Sequence, residues 1–232
     1  MSVPVQIVLL IVSFVILGSV LEALFIVKED QKKYVPAVIL KGSASIMFVL
    51  IGFVCREFST DPSFSRLVAI GLILGALGDI LLNLRYLFKK IDQKIFLFGI
   101  LVFLSGHILY LCALIPKSTT LVYAIIIGVL IAAFTLWQIF THIEPVKPAF
   151  KIFGVVYIGA IELMMCVSVG NMITGFSVMT VLYAIGAICF TASDIILIFN
   201  TFCKKQRQSL RIANLALYYA GQLLIAISIM FS

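Results

Sequence analysis

Charged residues are scarce in this chain. Only 12% of its 232 residues are Asp, Glu, Lys or Arg, whereas 63% are hydrophobic and the mean hydropathy is +1.22. A single soluble core cannot hide so many apolar side chains. Apolar runs of about 20 residues, enough to cross ~30 Å of hydrocarbon, recur along the chain, and a backbone surrounded by lipid must satisfy its own hydrogen bonds. The composition therefore excludes a soluble globular domain and predicts membrane-spanning helices.

Histidine is scarcer still, and the cysteines are not arranged in pairs. Because only His107 and His142 exist, a catalytic zinc site with three histidine ligands cannot be assembled. The five cysteines form no CxxC motif and fall mainly inside or at the ends of apolar runs, so we interpret them as packing residues. We therefore expect no disulfide, no metal and no cofactor, although an aspartate-rich metal site with one histidine stays open as an alternative. Nothing in the sequence resembles a nucleic-acid-binding module.

The apolar runs predict an all-α, polytopic helix bundle of about eight transmembrane helices, forming a single transmembrane domain over residues 1–232. The first run lacks a basic n-region and a cleavage motif and is too long for a signal peptide, so we count it as a span. Charged and helix-breaking residues fall between the runs, as in the 56–66 loop with its Asp61-Pro62 pair. The predicted spans are 5–27, 35–55, 67–88, 95–115, 121–141, 148–170, 176–199 and 210–231.

Basic residues are distributed unequally between the alternate connections. One side carries three, Arg56, Arg66 and Lys117, and the other carries thirteen. Because cytoplasmic loops are enriched in Lys and Arg, we expect both termini on the non-cytoplasmic side of a bacterial cell membrane. The formal charge of +7 is then explained by insertion topology and anionic headgroups. The thirteen are Lys28, Lys32, Lys33, Arg85, Lys89, Lys90, Lys94, Lys147, Lys151, Lys204, Lys205, Arg207 and Arg211.

Two pairs of short motifs indicate an internal repeat. GDILL at residues 78–82 resembles SDIIL at 193–197, and SGHIL at 105–109 resembles AGQLL at 220–224. Both pairs are separated by 115 residues. Since each half would contain four spans, the halves, approximately 1–116 and 117–232, would form two parallel four-helix repeats around an axis along the membrane normal. Such repeats commonly place a site where the halves meet, so we expect Asp79 and Asp194 to approach one another there.

Several polar residues fall inside the predicted spans. An ionised side chain near the bilayer centre costs ~2.5 to 3.5 kcal/mol on insertion scales, so each needs a partner, a cavity or a changed protonation state. At ~1.5 Å rise per residue, their depths favour a cavity that opens on the cytoplasmic side. The ionisable residues are Glu22, Lys41, Asp79, Glu162 and Asp194, and Asn83, His107, Gln138, Tyr157 and Gln222 accompany them.

Structural interpretations remain open for several of these residues. Glu22 and Lys41, on adjacent spans, could form a structural ion pair instead of taking part in chemistry. His107 could simply form a hydrogen bond between helices, and Glu162 could be a protonated packing residue. We interpret Tyr110, Tyr218 and Tyr219 as interfacial or packing aromatics. Tyr110 is also kept as a candidate substrate contact. Asp79 and Asp194 are matched acids in matched contexts, which favours a functional role.

The ordered motifs resemble the YhhN-like, lysoplasmalogenase family of membrane proteins. The resemblance rests on GDILL at 78–82, FLSGHILY at 103–110, GAICFTASD at 186–194 and YYAGQLLI at 218–225, and it covers most of the chain. Membership would imply an eight-helix fold. For the animal members it would also imply hydrolysis of the vinyl ether bond of lysoplasmalogens to a fatty aldehyde and a glycerophospho-alcohol.

The candidate residues can be matched to that chemistry. Vinyl ether hydrolysis requires an acid, which protonates the β-carbon, and a base or anion. Two carboxyl groups close together in a low-dielectric bundle cannot easily both ionise, so we expect Asp79 and Asp194 to divide these roles, in an order that the sequence does not assign. We expect His107 to assist catalysis with them and Gln222 to orient water or substrate. The other candidate substrate contacts are Glu22, Lys41, Asn83, Tyr110 and Tyr157.

The expected partner is a lysophospholipid or a related lipid within the bilayer, with Lys41 and the basic loops attracting its phosphate. A proton-coupled transporter of a small molecule or lipid is the alternative, because parallel repeats and acids near the midplane are also typical of transporters.

Overall fold

A computed structural model describes residues 3–203 and 206–232, and within them the chain is an all-helical bundle without strands. Eight of its helices are long and apolar enough to cross a membrane, so the protein is an integral membrane protein of the predicted fold class. Lys204 and Lys205, two of the basic residues used to predict topology, lie outside the described residues. The helices are α1 (Val5–Asp30), α2 (Tyr34–Arg56), α3 (Pro62–Leu84), α4 (Asp92–Leu114), α5 (Leu121–His142), α6 (Pro148–Thr174), α7 (Val178–Phe202) and α8 (Gln208–Ser228), with short 3-10 turns at Ile115–Lys117 and Ile229–Phe231.

The largest error in the predicted spans concerns α3. The helix begins at Pro62 and ends at Leu84, whereas the hydrophobic run predicted 67–88. Its start is set by local chemistry, because the Asp61 side chain accepts hydrogen bonds from the amides of Ser63 and Phe64, and proline is favoured at the first helical position. Capping therefore overrides hydropathy at this boundary.

The repeat extends to all eight helices. Adding 115 to the bounds of α1–α4 gives 120–145, 149–171, 177–199 and 207–229, each within three residues of the observed bounds of α5–α8. The packing repeats as well: α1 pairs with α2 and α5 with α6, while α3 pairs with α4 and α7 with α8. The halves meet through α2 against α8 and α6 against α4, which are equivalent contacts under the same shift. The prediction of two four-helix repeats is confirmed.

Glycines allow the closest helix crossings, and these crossings obey the repeat. A Cβ on Gly221 would lie 2.8 Å from the Gly186 carbonyl oxygen, and one on Gly106 would lie 3.2 Å from the Gly71 carbonyl oxygen. Small residues let helix backbones approach in this way inside membranes. Gly71 and Gly106 are separated from Gly186 and Gly221 by 115 residues each, so α3 crosses α4 as α7 crosses α8.

Candidate active site

A chamber lies between the two halves of the bundle. Its volume is about 130 Å³, and its lining combines polar side chains from both halves with a larger apolar wall. The polar lining residues within the helices are Lys41, Asp79, Asn83, Tyr157, Asp194, Thr201, Arg211, Asn214 and Tyr218. The apolar wall includes Leu136, Ile139 and Phe140 of α5, Ile158 of α6, Leu197 and Ile198 of α7, and Ile100 and Phe103 of α4.

The chamber opens at the end where α3 connects to α4 and α7 connects to α8. Arg85, Tyr86, Phe96, Phe150 and Phe202 line both the chamber and a wider vestibule of about 550 Å³ outside it. This is the end that carries the eleven of the thirteen basic residues that the structure describes, and the depths of the polar residues predicted a cavity that opens there. That this end faces the cytoplasm stays a prediction.

Asp79 of α3 lies in a cluster of hydrogen-bond donors. Ser45 Oγ donates to Asp79 Oδ2 over 2.5 Å, and the Tyr218 hydroxyl donates to the same oxygen over 2.8 Å. The Lys41 ammonium is 3.7 Å from the other carboxylate oxygen, Oδ1. Charge-assisted hydrogen bonds of this kind stabilise an ionised carboxylate in a low-dielectric surrounding.

Lys41 is buried and held on several sides. Its ammonium donates a 2.8 Å hydrogen bond to Glu22 Oε1 and lies 4.6 Å from the centroid of the Tyr218 ring. Only 2% of the Lys41 side chain is exposed, so the charge could not remain there without these partners. The structural ion pair between Glu22 and Lys41 is therefore present, and it extends to Asp79. Glu22 itself stands behind Lys41 and does not line the chamber.

Asp194 of α7 has a different environment. The Tyr157 hydroxyl of α6 donates a short hydrogen bond to Asp194 Oδ2, and no cation lies within ion-pair distance of this carboxyl in the described part of the chain. Asp79 and Asp194 are equivalent under the repeat, but the position equivalent to Lys41 is Val156. The two acids thus line one chamber with unequal partners.

Three other sequence candidates surround the chamber without lining it. The His107 ring is buried among Tyr110, Tyr157 and Phe190, with its centroid 4.5 Å from that of Phe190. Neither ring nitrogen has a hydrogen-bond partner among the residues that the structure describes. The Tyr110 hydroxyl donates to Gln222 Oε1 over 3.0 Å. Asn83 does line the chamber, and its side-chain amide donates to the backbone oxygen of Asp79. The roles of all four residues in chemistry stay predictions.

Two polar residues noted in the sequence lie apart from the chamber. Glu162 is buried between α5 and α6, where Thr135 donates to its Oε1 over 3.0 Å and its Oε2 has no partner. His142 is exposed at the end of α5. Within residues 3–203 and 206–232, no three His, Cys, Asp or Glu side chains are grouped so that they could hold a metal ion.

The sequence analysis missed several contacts around the acids. The interpretation of Tyr218 as a mere packing aromatic is wrong, because its hydroxyl bonds to Asp79. The sequence could have indicated these contacts. Tyr218 lies four residues before Gln222, and Ser45 lies four residues after Lys41, so each shares a helical face with a residue that was already a site candidate. Tyr219 does pack, with its ring 6.2 Å from that of Phe48 and its hydroxyl without a partner.

Comparison with known proteins gives one match. The sequence model of the YhhN family covers residues 37–229, which include almost all of α2 and the whole of α3–α8. No curated protein and no solved structure matches the chain.

Proposed function

Since the chain belongs to the YhhN family, which includes lysoplasmalogenases, we propose that it is a membrane-embedded lipid hydrolase. The proposed reaction cleaves the vinyl ether bond of a lysoplasmalogen-type lysolipid to a fatty aldehyde and a glycerophospho-alcohol. The observation that carries the proposal is that two buried acids, one from each half, line a single chamber whose remaining wall is largely apolar.

The composition of the chamber suits a single-chain lipid. Leu136, Ile139 and Phe140 offer an alkenyl chain an apolar surface on one side, while Asp79 and Asp194 lie on the polar side. Sites that bind small molecules usually combine a mostly apolar lining with a few convergent polar groups. The vinyl ether of a lysolipid joins the apolar chain to the polar glycerol, so it would lie where these two surfaces meet.

The chemistry requires one proton donor and one proton acceptor. The donor transfers a proton to the β-carbon of the vinyl ether, and the resulting oxocarbenium ion is captured by water, which loses a proton to the acceptor. The hemiacetal then collapses, as its hydroxyl proton leaves and the carbon–oxygen bond to glycerol breaks with protonation of the departing oxygen. One water is consumed, and aldehyde and alcohol are released. Acid–base catalysis by positioned carboxyl groups is sufficient for each step.

The unequal surroundings of the two acids favour one assignment. Asp79, which accepts hydrogen bonds from Ser45 and Tyr218 beside the Lys41 ammonium, serves as the anion that stabilises the oxocarbenium ion and takes the proton of water. Asp194, with Tyr157 as its hydrogen-bond donor and no cation within ion-pair distance among the described residues, serves as the acid. After the proton has left, the Tyr157 hydroxyl stabilises the Asp194 carboxylate.

Positioning roles remain for the residues behind the acids. His107 packs edge-on against the Tyr157 ring, with centroids 5.7 Å apart, and so holds the hydroxyl that contacts Asp194. Gln222 lies behind the chamber lining, where it accepts a hydrogen bond from Tyr110 and helps to hold α8, which carries Tyr218, in place. Side chains locked by packing keep catalytic groups in the geometry that the reaction needs.

The test measures aldehyde release from a lysoplasmalogen by purified, folded protein in detergent. We expect Asp79→Asn and Asp194→Asn each to abolish turnover, because amides can neither donate an acidic proton nor accept one from water. Glu162→Gln is the matched control, since it changes a buried acid outside the chamber and should leave turnover close to that of the unmodified protein. Full activity in either aspartate variant would refute the assignment.

Proton-coupled transport of a small molecule or lipid is the second candidate, and the parallel repeat with matched acids favours it. The two functions differ in what they need. A hydrolase releases aldehyde in detergent solution, whereas a transporter requires a sealed vesicle and a gradient. Gradient-dependent uptake by reconstituted protein, without aldehyde release in detergent, would favour the transporter.

A further inference from the structure

Three cationic side chains line the chamber, and two of them are already paired. Lys41 is bound by Glu22 and lies beside Asp79. Arg211 makes a bidentate pair with Glu29, with distances of 3.0 Å from Nε to Oε2 and 2.7 Å from Nη2 to Oε1. Arg85 has no carboxylate within ion-pair distance among the described residues. Of the three, Arg85 is the cation that is available to an anionic ligand.

We propose that Arg85 binds the phosphate group of the lipid substrate, at the boundary between the chamber and the vestibule. The proposal rests on the proposed function for the identity of the ligand. It departs from the expectation that Lys41 attracts the phosphate, because the Lys41 ammonium is already paired with the carboxylates of Glu22 and Asp79.

The surroundings of Arg85 hold its side chain in place while occupying only one of its donor groups. The guanidinium carbon lies 4.8 Å from the centroid of the Tyr86 ring and 4.6 Å from that of Phe96. Arg85 Nη2 donates to the Tyr86 hydroxyl over 2.8 Å, and in the described part of the chain the other nitrogens of the guanidinium, Nε and Nη1, make no hydrogen bond. A planar guanidinium held against aromatic rings suits a phosphate, which accepts two parallel hydrogen bonds from it.

The axial spacing between Asp79 and Arg85 is comparable to the length of a lysolipid between its phosphate and its vinyl ether. Arg85 follows Asp79 by six residues at the end of α3, which corresponds to ~9 Å along the helix axis. In a lysoplasmalogen, seven bonds separate the phosphorus from the β-carbon of the vinyl ether, or roughly 9 Å when extended, taking ~3.8 Å for three bonds. A lysolipid whose phosphate binds Arg85 is therefore long enough for its β-carbon to reach the depth of Asp79.

Binding can be measured with a ligand that the enzyme cannot cleave. The probes are a saturated 1-O-alkyl lysophosphocholine, which has no vinyl ether, and the 1-O-alkylglycerol of the same chain length, which has no phosphate. Calorimetric titration of the purified protein in detergent gives both Kd values. We expect the phospholipid to bind at least ~10-fold more tightly, as for a charge-assisted interaction with phosphate.

Substitutions at Arg85 test whether this residue causes the tighter binding of the phospholipid. Arg85→Gln should remove it while leaving alkylglycerol binding unchanged, which also shows that the variant is folded, and Arg85→Lys should keep part of it. Lys89→Gln is the matched control, because Lys89 lines only the vestibule, and it should keep the full preference. An unaltered preference in Arg85→Gln, or none in the unmodified protein, would overturn the proposal.

A competition arm separates the two sources of phosphate. Inorganic phosphate that weakens lipid binding in the unmodified protein but not in Arg85→Gln would show a site open to free phosphate as well. No competition would show that the lipid headgroup is required, and equal competition in both proteins would overturn the assignment to Arg85. Because the probes are not hydrolysed, these results stand apart from the outcome of the turnover assay.

Discussion

The Tyr218 hydroxyl donates a 2.8 Å hydrogen bond to Asp79 Oδ2, and this contact joins the eighth helix to the third. The two residues come from opposite halves of the repeat, 139 positions apart. The position equivalent to Tyr218 in the first half is Phe103, which has no hydroxyl. Equivalent positions in the two halves therefore carry different functional groups. As a result, a substitution can change the hydrogen bonds of one acid without changing those of the other.

Removing the Tyr218 hydroxyl should weaken catalysis without unfolding the protein. We expect Tyr218→Phe to lower kcat roughly tenfold, the equivalent of one hydrogen bond to a charged group. Tyr219→Phe is the control, because the Tyr219 hydroxyl is equally buried and has no partner, and it should change kcat by less than about twofold. The measurement is initial-rate aldehyde release at saturating lipid. Equal effects of the two substitutions would show that the contact with Asp79 does not matter.

The Glu22–Lys41 pair should separate stability from activity. Lys41→Met leaves two carboxylates without their cation and should destabilise the protein by ~3 kcal/mol or more. The double variant Glu22→Gln with Lys41→Met removes both charges, so we expect most of the thermal stability to return while activity stays low. Thermal unfolding and turnover of these two variants and of Glu22→Gln alone complete the cycle. Full activity in the double variant would show that the Lys41 ammonium is not needed for catalysis.

The α7–α8 crossing should not tolerate a methyl group. In Gly221→Ala the new Cβ would lie 2.8 Å from the Gly186 oxygen and 3.0 Å from the Phe190 nitrogen, both backbone atoms that cannot move aside. We expect a loss of ~1 to 3 kcal/mol in stability. Gly159→Ala is the control, since nothing lies within 4 Å of its Cβ position and alanine favours a helix by ~1 kcal/mol over glycine. A thermal midpoint in Gly221→Ala at or above that of Gly159→Ala would contradict this account of the crossing.

Asp61 should make a small, pH-dependent contribution to stability. A 2.6 Å hydrogen bond from Lys117, with the amides of Phe64 and Ser63, lowers the pKa of Asp61 below its ordinary value of 3.8. A group whose pKa is lower in the folded state stabilises the protein above the unfolded pKa, and this contribution is lost as the pH falls through the folded pKa. The site is partly exposed, so we expect about 1 kcal/mol or less.

Asp61→Asn keeps an acceptor for the helix cap but loses the charge. Its thermal midpoint should therefore lie slightly below that of the unmodified protein near neutral pH, and the two should converge at strongly acidic pH. A constant difference between the two proteins across the whole pH range would show that the ion pair with Lys117 is not its source.

Hydropathy and motif spacing predicted the parts of the structure that repeat. Eight apolar runs are sufficient to predict eight helices, because a span in lipid needs length and apolarity and little else. The equal offsets of GDILL with SDIIL and of SGHIL with AGQLL predicted the parallel halves, and both acids line the chamber between them. The number of helices and the repeat could be predicted because apolar run length and motif offset can both be read directly from the sequence.

The details of the site could not be predicted in this way because they depend on pairs distant in sequence. That Ser45 and Tyr218 meet at one oxygen of Asp79 depends on how α2 and α8 pack against α3. Arg85, Lys89 and Arg211 appeared only in a count of basic residues. Which of them is already bound to a carboxylate depends on where Glu29 lies in the folded bundle.

The wall of the chamber that α5 supplies is held differently from the rest. This helix packs mainly against α6, and its outer side, with Ile126, Leu130 and Trp137, is more than half exposed. A helix supported from one side can be displaced while the glycine crossings that carry the acids stay fixed. Under the proposed function, a displacement of α5 would widen the apolar side of the chamber and let lipid tails of different length be held beside the same pair of carboxyl groups.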